Sequence, residues 1–401
     1  MRTEDELTGA LRAAAERAPD EGDLLAGVET LRGQRTRRRV RTLAAAAAVV
    51  IVAVGGAGVR SVFSSGGEGD VATTTTPTAP FPEVTKTTTL DPQPGKAVPA
   101  AKLWPTAVLT VPTTNAEGMM YQPITGIGAT EVLLLASSGE GTRIEVYDTA
   151  TKRARVVTTV PIEPTAVPPT VTADGKNVAW MSFGTKRGVS VREIWTAPLS
   201  GGKARLLTTL SGPRADIDSM AVNGDRVFWS ERRGDVWGIP VSGGASERVP
   251  ASRGLRLLRW PWASDAPVGP DVSVRGQSKV VDLTIGSTIK VVTRPGTRDL
   301  RCGPFWCFGH DETGAFLQRI DGSNMRRLDD RGSWGRQAMA PILNRFVVSN
   351  GGIYDIATGR TAAAADGRWT AVSAGQPTII YWEGGRGTFR MLNLAAVPPP
   401  Q

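Results

Sequence analysis

Apolar and polar positions alternate in three different ways along the chain. From about residue 101 onward, short β-rich runs alternate with Gly, Asp and Asn turns. Examples are EVLLLASS (131–138), RIEVYD (143–148), ARVVTTV (154–160), RVFWSE (226–231), KVVDLTI (279–285), TIKVVT (288–293), RFVVSN (345–350) and TIIYWEGG (378–385). Runs of this length bounded by turn residues predict strands, and no amphipathic helix interrupts them. Near the start, Leu7, Leu11 and Ala14 recur on one helical face, and Leu24, Val28 and Leu31 on a second. Pro19 and Asp20 separate them, which predicts a helical hairpin. Thr3 and Glu6 fit a capping box at its start. Between the two regions, residues 43–59 are uniformly apolar, and residues 60–100 show no periodicity.

The strand-rich part repeats. Trp195-Thr-Ala-Pro-Leu-Ser-Gly-Gly202 recurs as Trp237-Gly-Ile-Pro-Val-Ser-Gly-Gly244, 42 residues later. Asn177-Val-Ala-Trp180 answers Arg226-Val-Phe-Trp229 at an offset of 49, the extra residues falling in the loop between Trp180 and Trp195. Tyr147-Asp-Thr-Ala-Thr-Lys-Arg153 matches Tyr354-Asp-Ile-Ala-Thr-Gly-Arg360, 207 residues on, or five steps of about 41. Comparable strand–turn–strand signals begin near Asp148, Pro198, Pro240, Asp282, Ile320 and Asp355, and a seventh fits Thr388 to Leu394. A period near 40 with four short strands per repeat predicts a β-propeller. One four-stranded sheet cannot bury both faces alone, whereas radial stacking covers each face with a neighbour.

The stretch Thr172-Ala-Asp-Gly-Lys-Asn-Val-Ala-Trp180, then Ile194-Trp195, then Leu199-Ser-Gly-Gly-Lys-Ala-Arg205-Leu-Leu-Thr208 resembles a TolB-like propeller repeat. In that resemblance Asp-Gly makes the first hairpin turn and Ser-Gly-Gly a later one, where Gly supplies φ > 0. The expected fold is an all-β propeller over residues 101–396. Seven blades are expected, with six as the alternative because Leu255 to Pro295 is irregular. The last blade is expected to start near Trp369, and Trp104 to Val111 to close it as its outer strand. Trp180, Trp195, Trp229, Trp237 and Trp382 fall where blades would pack.

Leu43 to Val59 carries no charge in 17 residues, a helix of about 26 Å. Arg35, Arg37, Arg38, Arg39 and Arg41 crowd its N-terminal side, against Arg60 on the other. The positive-inside bias places residues 1–42 in the cytoplasm and the propeller outside, as a single-pass cell-membrane protein. A cleaved signal peptide is the alternative, opposed by the length and folded look of the leader. The Arg cluster would sit on lipid phosphates. This helical head resembles the cytoplasmic ends of actinobacterial membrane proteins, some of them anti-sigma factors. It lacks the His and Cys cluster of the zinc-type domains. Residues 60–100 are Thr- and Pro-rich, so they form a disordered stalk that would hold the next domain roughly 35 Å away.

Composition narrows the chemistry. The chain has 401 residues with Gly 46 and Pro 28, which suits many tight turns. One His and two Cys exclude a zinc finger or a multi-His metal enzyme. Cys302 and Cys307 bracket a Gly-Pro turn, and outside the membrane a disulfide across it is expected. His310, beside Asp311 and Glu312, does not make a site, because its neighbours face alternate sides of a strand. No G-x-S-x-G elbow, Walker A loop or H-E-x-x-H motif occurs. The net charge of +9 lies mostly beyond residue 42. It serves solubility, or draws the exported domain toward anionic wall polymers or headgroups. Nucleic acid is not expected outside the cell.

These features lead to a membrane-anchored, non-enzymatic propeller that binds a protein, peptide or envelope glycan. No catalytic, cofactor-binding or metal-ligating residue and no cofactor are expected. Trp260 and Trp262, in an irregular loop, are the candidates for a binding rim. The alternative is a transmembrane regulator, an anti-sigma-like sensor that holds a cytoplasmic partner through residues 3–32. A third reading is a propeller hydrolase or lyase with acid–base carboxylates in the central channel.

Overall fold

In a computed structural model of the chain, strand EVLLLASS sends its apolar side chains to both faces of its sheet. Val132, Leu134 and Ala136 enter one buried cluster, Leu133 and Leu135 another. That division follows from the two-residue period of a strand and explains a continuous apolar run. The same holds for the next repeat, where Val178 and Trp180 face one way and Ala179 and Met181 the other. The structure describes residues 97–161, 168–266, 276–328, 339–348, 352–363, the backbone of 371–372, and 378–400. The predicted helical hairpin of residues 3–32, the Arg35–Arg41 cluster, the apolar segment 43–59, stalk residues 60–96 and Trp369 lie outside them. Among the described residues, no helix is long and apolar enough to cross a membrane.

The described strands form seven four-stranded sheets. Blade 1 comprises Met120–Gly126, Glu131–Ser138, Gly141–Asp148 and Arg153–Thr159. Blade 2 comprises Thr170–Ala173, Asn177–Lys186, Val189–Pro198 and Arg205–Ser211. Blade 3 runs from Ile217–Asn223 to Glu247–Arg248, and blade 4 from Arg256–Arg259 to Ser287–Lys290. Blade 5 runs from Arg298–Cys302 to Arg326–Arg327. Blade 6 contains Phe346–Val348, Ile353–Asp355 and Arg360–Ala363, and blade 7 Ala371–Val372, Ile379–Gly385 and Thr388–Asn393. Each of the last two blades takes one more strand from the N-terminal side. Val98–Pro99 lies parallel to Arg360–Ala363, and Val108–Pro112 lies antiparallel to Thr388–Asn393.

One hydrogen bond recurs in every blade and sets the repeats in register. The residue after the third strand donates its N–H to the carbonyl of a residue before the second. The pairs are Thr149–Thr130, Leu199–Lys176, Val241–Asp225, Leu283–Pro261, Ile320–Phe305, Ile356–Arg345 and Leu394–Thr378, at 2.8–3.0 Å. By this register Phe346–Val348 is a second strand, and among the described residues the inner position of blade 6 holds an isolated bridge between Ile342 and Phe346. The Tyr147 and Tyr354 turns fall in blades 1 and 6, five steps apart, as their sequence spacing predicts. The count is seven. The irregular region from Leu255 makes a blade of short strands around a cis Trp260–Pro261 bond.

Burial closes the ring. Seven apolar clusters lie between successive blades, and the one joining blade 7 to blade 1 contains Leu109, Val111, Tyr121, Val132, Ile379 and Met391. Trp180, Trp229 and Trp382 are buried in such clusters, and Trp195 stacks on Trp180 with ring centres 6.3 Å apart. Cys302 and Cys307, both fully buried, are joined by a disulfide across the first hairpin of blade 5. The buried Gln277 side chain clamps Cys302 from blade 4, accepting its N–H at 2.8 Å and donating to its carbonyl at 3.0 Å.

Candidate functional site

The described turns between first and second strands emerge on one face of the ring. The Asp-Gly turn of blade 2 shows how they are built. Asp174 accepts the N–H groups of Lys176 and Asn177 at 2.7 Å each, and its second oxygen accepts that of Gly224 in the next blade at 2.7 Å. Asn177 returns a bond to the Gly224 carbonyl at 2.8 Å. Adjacent turns are thereby fixed to one another.

At the centre of this face is a cavity of about 580 Å³, lined by residues from blades 1, 2, 4, 6 and 7 and by the C-terminal tail. Blade 1 supplies Ile124, Thr125 and Gly126, blade 2 Val171, Thr172 and Ala173, and blade 4 Arg259. Blade 6 gives Leu343, Arg345 and Phe346, blade 7 gives Thr378, and the tail gives Leu394, Ala395, Val397 and Pro399. The volume falls within the roughly 300–1,000 Å³ usual for small-ligand sites. Thr125 and Thr378 join blades 1 and 7 through a 2.7 Å hydroxyl–hydroxyl bond, and Gly126 donates its N–H to Thr378 at 3.1 Å. A Cβ at Gly126 would come within 2.7 Å of the Asn393 amide, so glycine allows this close approach. Asn393 itself donates to the Gly128 carbonyl at 2.8 Å.

Two cations reach the lining. Arg345 is held by the fully buried Asp355 through two 2.8 Å bonds, and it donates to the Val397 carbonyl at 3.4 Å. This tethers the C-terminal tail beside the cavity. Arg259 ends the innermost strand of blade 4, and burial lowers its pKa. Two more arginines stand on innermost strands, Arg256 in blade 4 and Arg301 in blade 5, also lowered by burial. Arg256 has a partner in Asp218 of blade 3 at 3.8 Å, which also accepts from Ser230 at 2.6 Å. Burial raises the Asp218 pKa against these contacts.

The residues singled out from the sequence are dispersed. Trp260 and Trp262 point to opposite faces of blade 4. Trp260 stacks on Phe228, centres 3.5 Å apart, and lines a groove of about 540 Å³ at the outer side of blades 3 and 4. Trp262 is half-buried against the cluster between blades 4 and 5. His310 lies on the second strand of blade 5 against the Phe308 ring. Asp311 accepts from Arg327 at 2.6 Å and caps its own turn, and Glu312 pairs loosely with Arg298. These three do not converge. Glu145, the buried carboxylate of blade 1, accepts from Tyr121 at 2.7 Å and Asn115 at 3.1 Å, a set that ties the strand-1 approach to its blade. Among the described residues, no three His, Cys, Asp or Glu side chains form a metal-holding group.

The cavity residues were not visible in the sequence. Five blades contribute one to three of them each, mostly from strand ends, so they are scattered from Ile124 to Pro399 with no local motif. Aligning the repeats gathers them at two positions, Thr125, Ala173 and Arg259 at the end of a first strand and Arg345 and Thr378 just before a second.

No protein-family model and no curated protein sequence matches the chain. Solved structures do. TolB from Acinetobacter baumannii aligns at 15% identity and a TM-score of 0.32, over 51% of this chain and 55% of its own. The β-propeller domain of the Trilobed protease from Pyrococcus furiosus aligns at 14% and 0.37, over 59% and 77%. An oligogalacturonate lyase in complex with manganese aligns at 12% and 0.36, over 65% and 74%. The chain thus spans about half the length of that TolB. At these scores the blade count rests on the strand pairing and interblade clusters of this chain, which make it an all-β, seven-bladed propeller.

Proposed function

We propose that the chain is a single-pass membrane protein that displays a non-enzymatic, ligand-binding propeller outside the cell. Residues 43–59 are the span, the Arg35–Arg41 cluster marks the inside, and the Thr/Pro-rich segment is the stalk. The binding site is the axial mouth where the first hairpin turns meet. The observation that carries this reading is the cavity itself, a concave site of small-ligand size built from five blades and walled by the tail. Its polar groups are few and convergent on an apolar wall, the usual composition of a recognition site. The buried carboxylates Glu145 and Asp218 are already engaged by neighbouring side chains, which favours binding over acid–base turnover.

The orientation is tested by cysteine labelling in intact cells. Glu383→Cys places a thiol on the exposed second strand of blade 7. A membrane-impermeant maleimide is expected to label it without lysis, and to label a cysteine introduced at Arg12 only after lysis. The reverse pattern, or labelling of both only after lysis, would contradict the proposal.

A further inference from the structure

Blades 4 and 5 carry apolar side chains at the tips of turns that share a face with the mouth. Ile285 is 77% exposed in the turn after the third strand of blade 4, and Phe305 is 43% exposed in the turn after the first strand of blade 5. The recurring bond holds such turns side by side: Leu283 donates to the Pro261 carbonyl at 2.9 Å and Ile320 to the Phe305 carbonyl at 3.0 Å. Val292, 41% exposed, joins Phe305 there by donating its N–H to the Ile320 carbonyl at 2.9 Å. Single exposed apolar residues are ordinary on a protein surface. These are accompanied by guanidinium groups. Arg294 donates to the Gly322 carbonyl at 2.7 Å and Arg326 to the Ile356 carbonyl at 3.1 Å. Arg319 and Arg326 each stand 5.3 Å from the centre of the Trp306 ring. The ion pairs of blade 5 are Arg298 with Glu312 and Arg327 with Asp311, and among the described residues none includes Arg294, Arg319 or Arg326. The acids beside them serve their own turns. Asp282 accepts from Thr284, and Asp321, whose pKa Ser323 and then Arg319 lower, accepts from Ser323. A second observation concerns where the described chain begins. Val98–Pro99 runs parallel to Arg360–Ala363, with Val98 opposite Ala362. That outer strand starts at the turn after Asp355, on the mouth side. Residue 97 thus lies on the mouth side, and the chain from the apolar segment 43–59 enters the ring there.

We propose that the mouth face docks on an anionic bilayer surface, with Ile285, Val292 and Phe305 entering the headgroup–acyl boundary and Arg294, Arg319 and Arg326 lying against lipid phosphates. The proposal rests on the membrane-anchored reading, which supplies the bilayer. As a coil, residues 60–96 reach roughly 35 Å, enough to bring this face to the surface from which they come. The apolar tips stand out singly from separate turns. That suits shallow insertion between headgroups, whereas a protein partner would need a contiguous patch. A soluble polyanion would use the arginines and leave Ile285 and Phe305 in water. Docked by this edge, the ring turns its mouth toward the bilayer.

The test uses full-length protein reconstituted in liposomes. Both native cysteines are buried in the disulfide, so one introduced cysteine takes a nitrobenzoxadiazole label that reports a dry environment. Ile285→Cys probes the mouth face, and Val189→Cys, 53% exposed at the start of the third strand of blade 2, probes the opposite face. Liposomes of phosphatidylcholine are compared with liposomes that also contain phosphatidylglycerol, each with a nitroxide lipid as quencher. With phosphatidylglycerol the label at 285 is expected to shift to the blue and be quenched, while the label at 189 stays aqueous. Replacing Arg294, Arg319 and Arg326 together by Gln should lower the ratio of docked to undocked label roughly tenfold or more. Potassium chloride added to the chain with its arginines intact should release the label too, since screening acts without changing the fold. A label at 285 that stays aqueous, equal quenching at both positions, or quenching that survives both salt and the arginine replacements would overturn the proposal. Alkaline extraction of the same liposomes separates it from the anchored reading. Protein retained by the bilayer with an aqueous label at 285 keeps the anchor and removes the docked face. Protein extracted by alkali, whose label at 285 was quenched beforehand, keeps the docked face and removes the anchor.

Discussion

In five blades the turn after the third strand is opened by a side chain that accepts a backbone N–H two residues on. Asp148, Asp282, Asp321, Asp355 and Asn393 do this at 2.8–3.1 Å. Blades 2 and 3 use Pro-x-Ser-Gly-Gly instead, where Gly201 and Gly243 adopt positive φ and donate to Pro198 and Pro240. These are two chemical solutions to one turn. The aspartate solution has a pH consequence. The pKa of Asp148 is lowered by the Ala150 N–H, that of Asp321 by Ser323, and that of Asp311 well below the usual carboxylate range by Arg327. A folded-state pKa below the unfolded one gives stability that is present above about pH 4 and lost as pH falls through the folded value. Arg327 is 44% exposed, so solvent screens the Asp311–Arg327 pair and it is worth about 0.5 kcal/mol. Replacing Asp148, Asp311 and Asp321 together by Asn keeps each turn acceptor and removes the titration. The urea midpoint of this variant should fall less between pH 4 and pH 2 than that of the parent, and an unchanged acid slope would contradict the assignment. Asp218 acts with the opposite sign, since burial raises its pKa.

At the scale of elements, the two N-terminal strands decide whether the ring is closed. Val108–Pro112 completes blade 7 and places Val111, fully buried, in the cluster between blades 7 and 1. Val111→Asp puts an unpaired charge there and should cost at least about 3 kcal/mol. The loss should appear first as faster amide exchange in blade 7. Uniform acceleration across all blades would mean that closure is not local. The Val108–Pro112 strand was legible because Trp104 to Val111 reads as a strand with no partner of its own. Val98–Pro99 was not, since two residues carry no periodicity and their parallel pairing is set only by the docked chain. Blade 6 was legible from Tyr354-Asp-Ile-Ala-Thr-Gly-Arg360, although among the described residues its inner position holds only one bridge. The Trp repeats of blades 2 and 3 were clear because wide indole rings recur wherever two sheets must be held apart and filled.

At the scale of the molecule, seven sheets share fourteen faces, and the clusters between them leave the axial mouth as the concave feature built from most of the ring. Sequence reasoning recovers the ring because its driving force, burial of both faces of every blade, is written into each repeat. It does not recover the mouth, because the mouth is assembled from single positions of separate repeats whose side chains need only converge. The rim tryptophans illustrate the difference. Trp260 and Trp262 are conspicuous in sequence, yet the turn between the first two strands of blade 4 separates them and they pack into different interblade clusters, whereas Thr125 and Thr378, 253 residues apart, touch. The most direct test of the mouth is photo-crosslinking of full-length protein in intact cells, with a benzophenone side chain at Ala173 in the cavity or at Glu247 on the outermost strand of blade 3. The account predicts a discrete adduct from position 173 that is competed away by adding purified, unlabelled protein, and none from position 247. Adducts from position 247 alone would place recognition on the outer edge of the blades and contradict it.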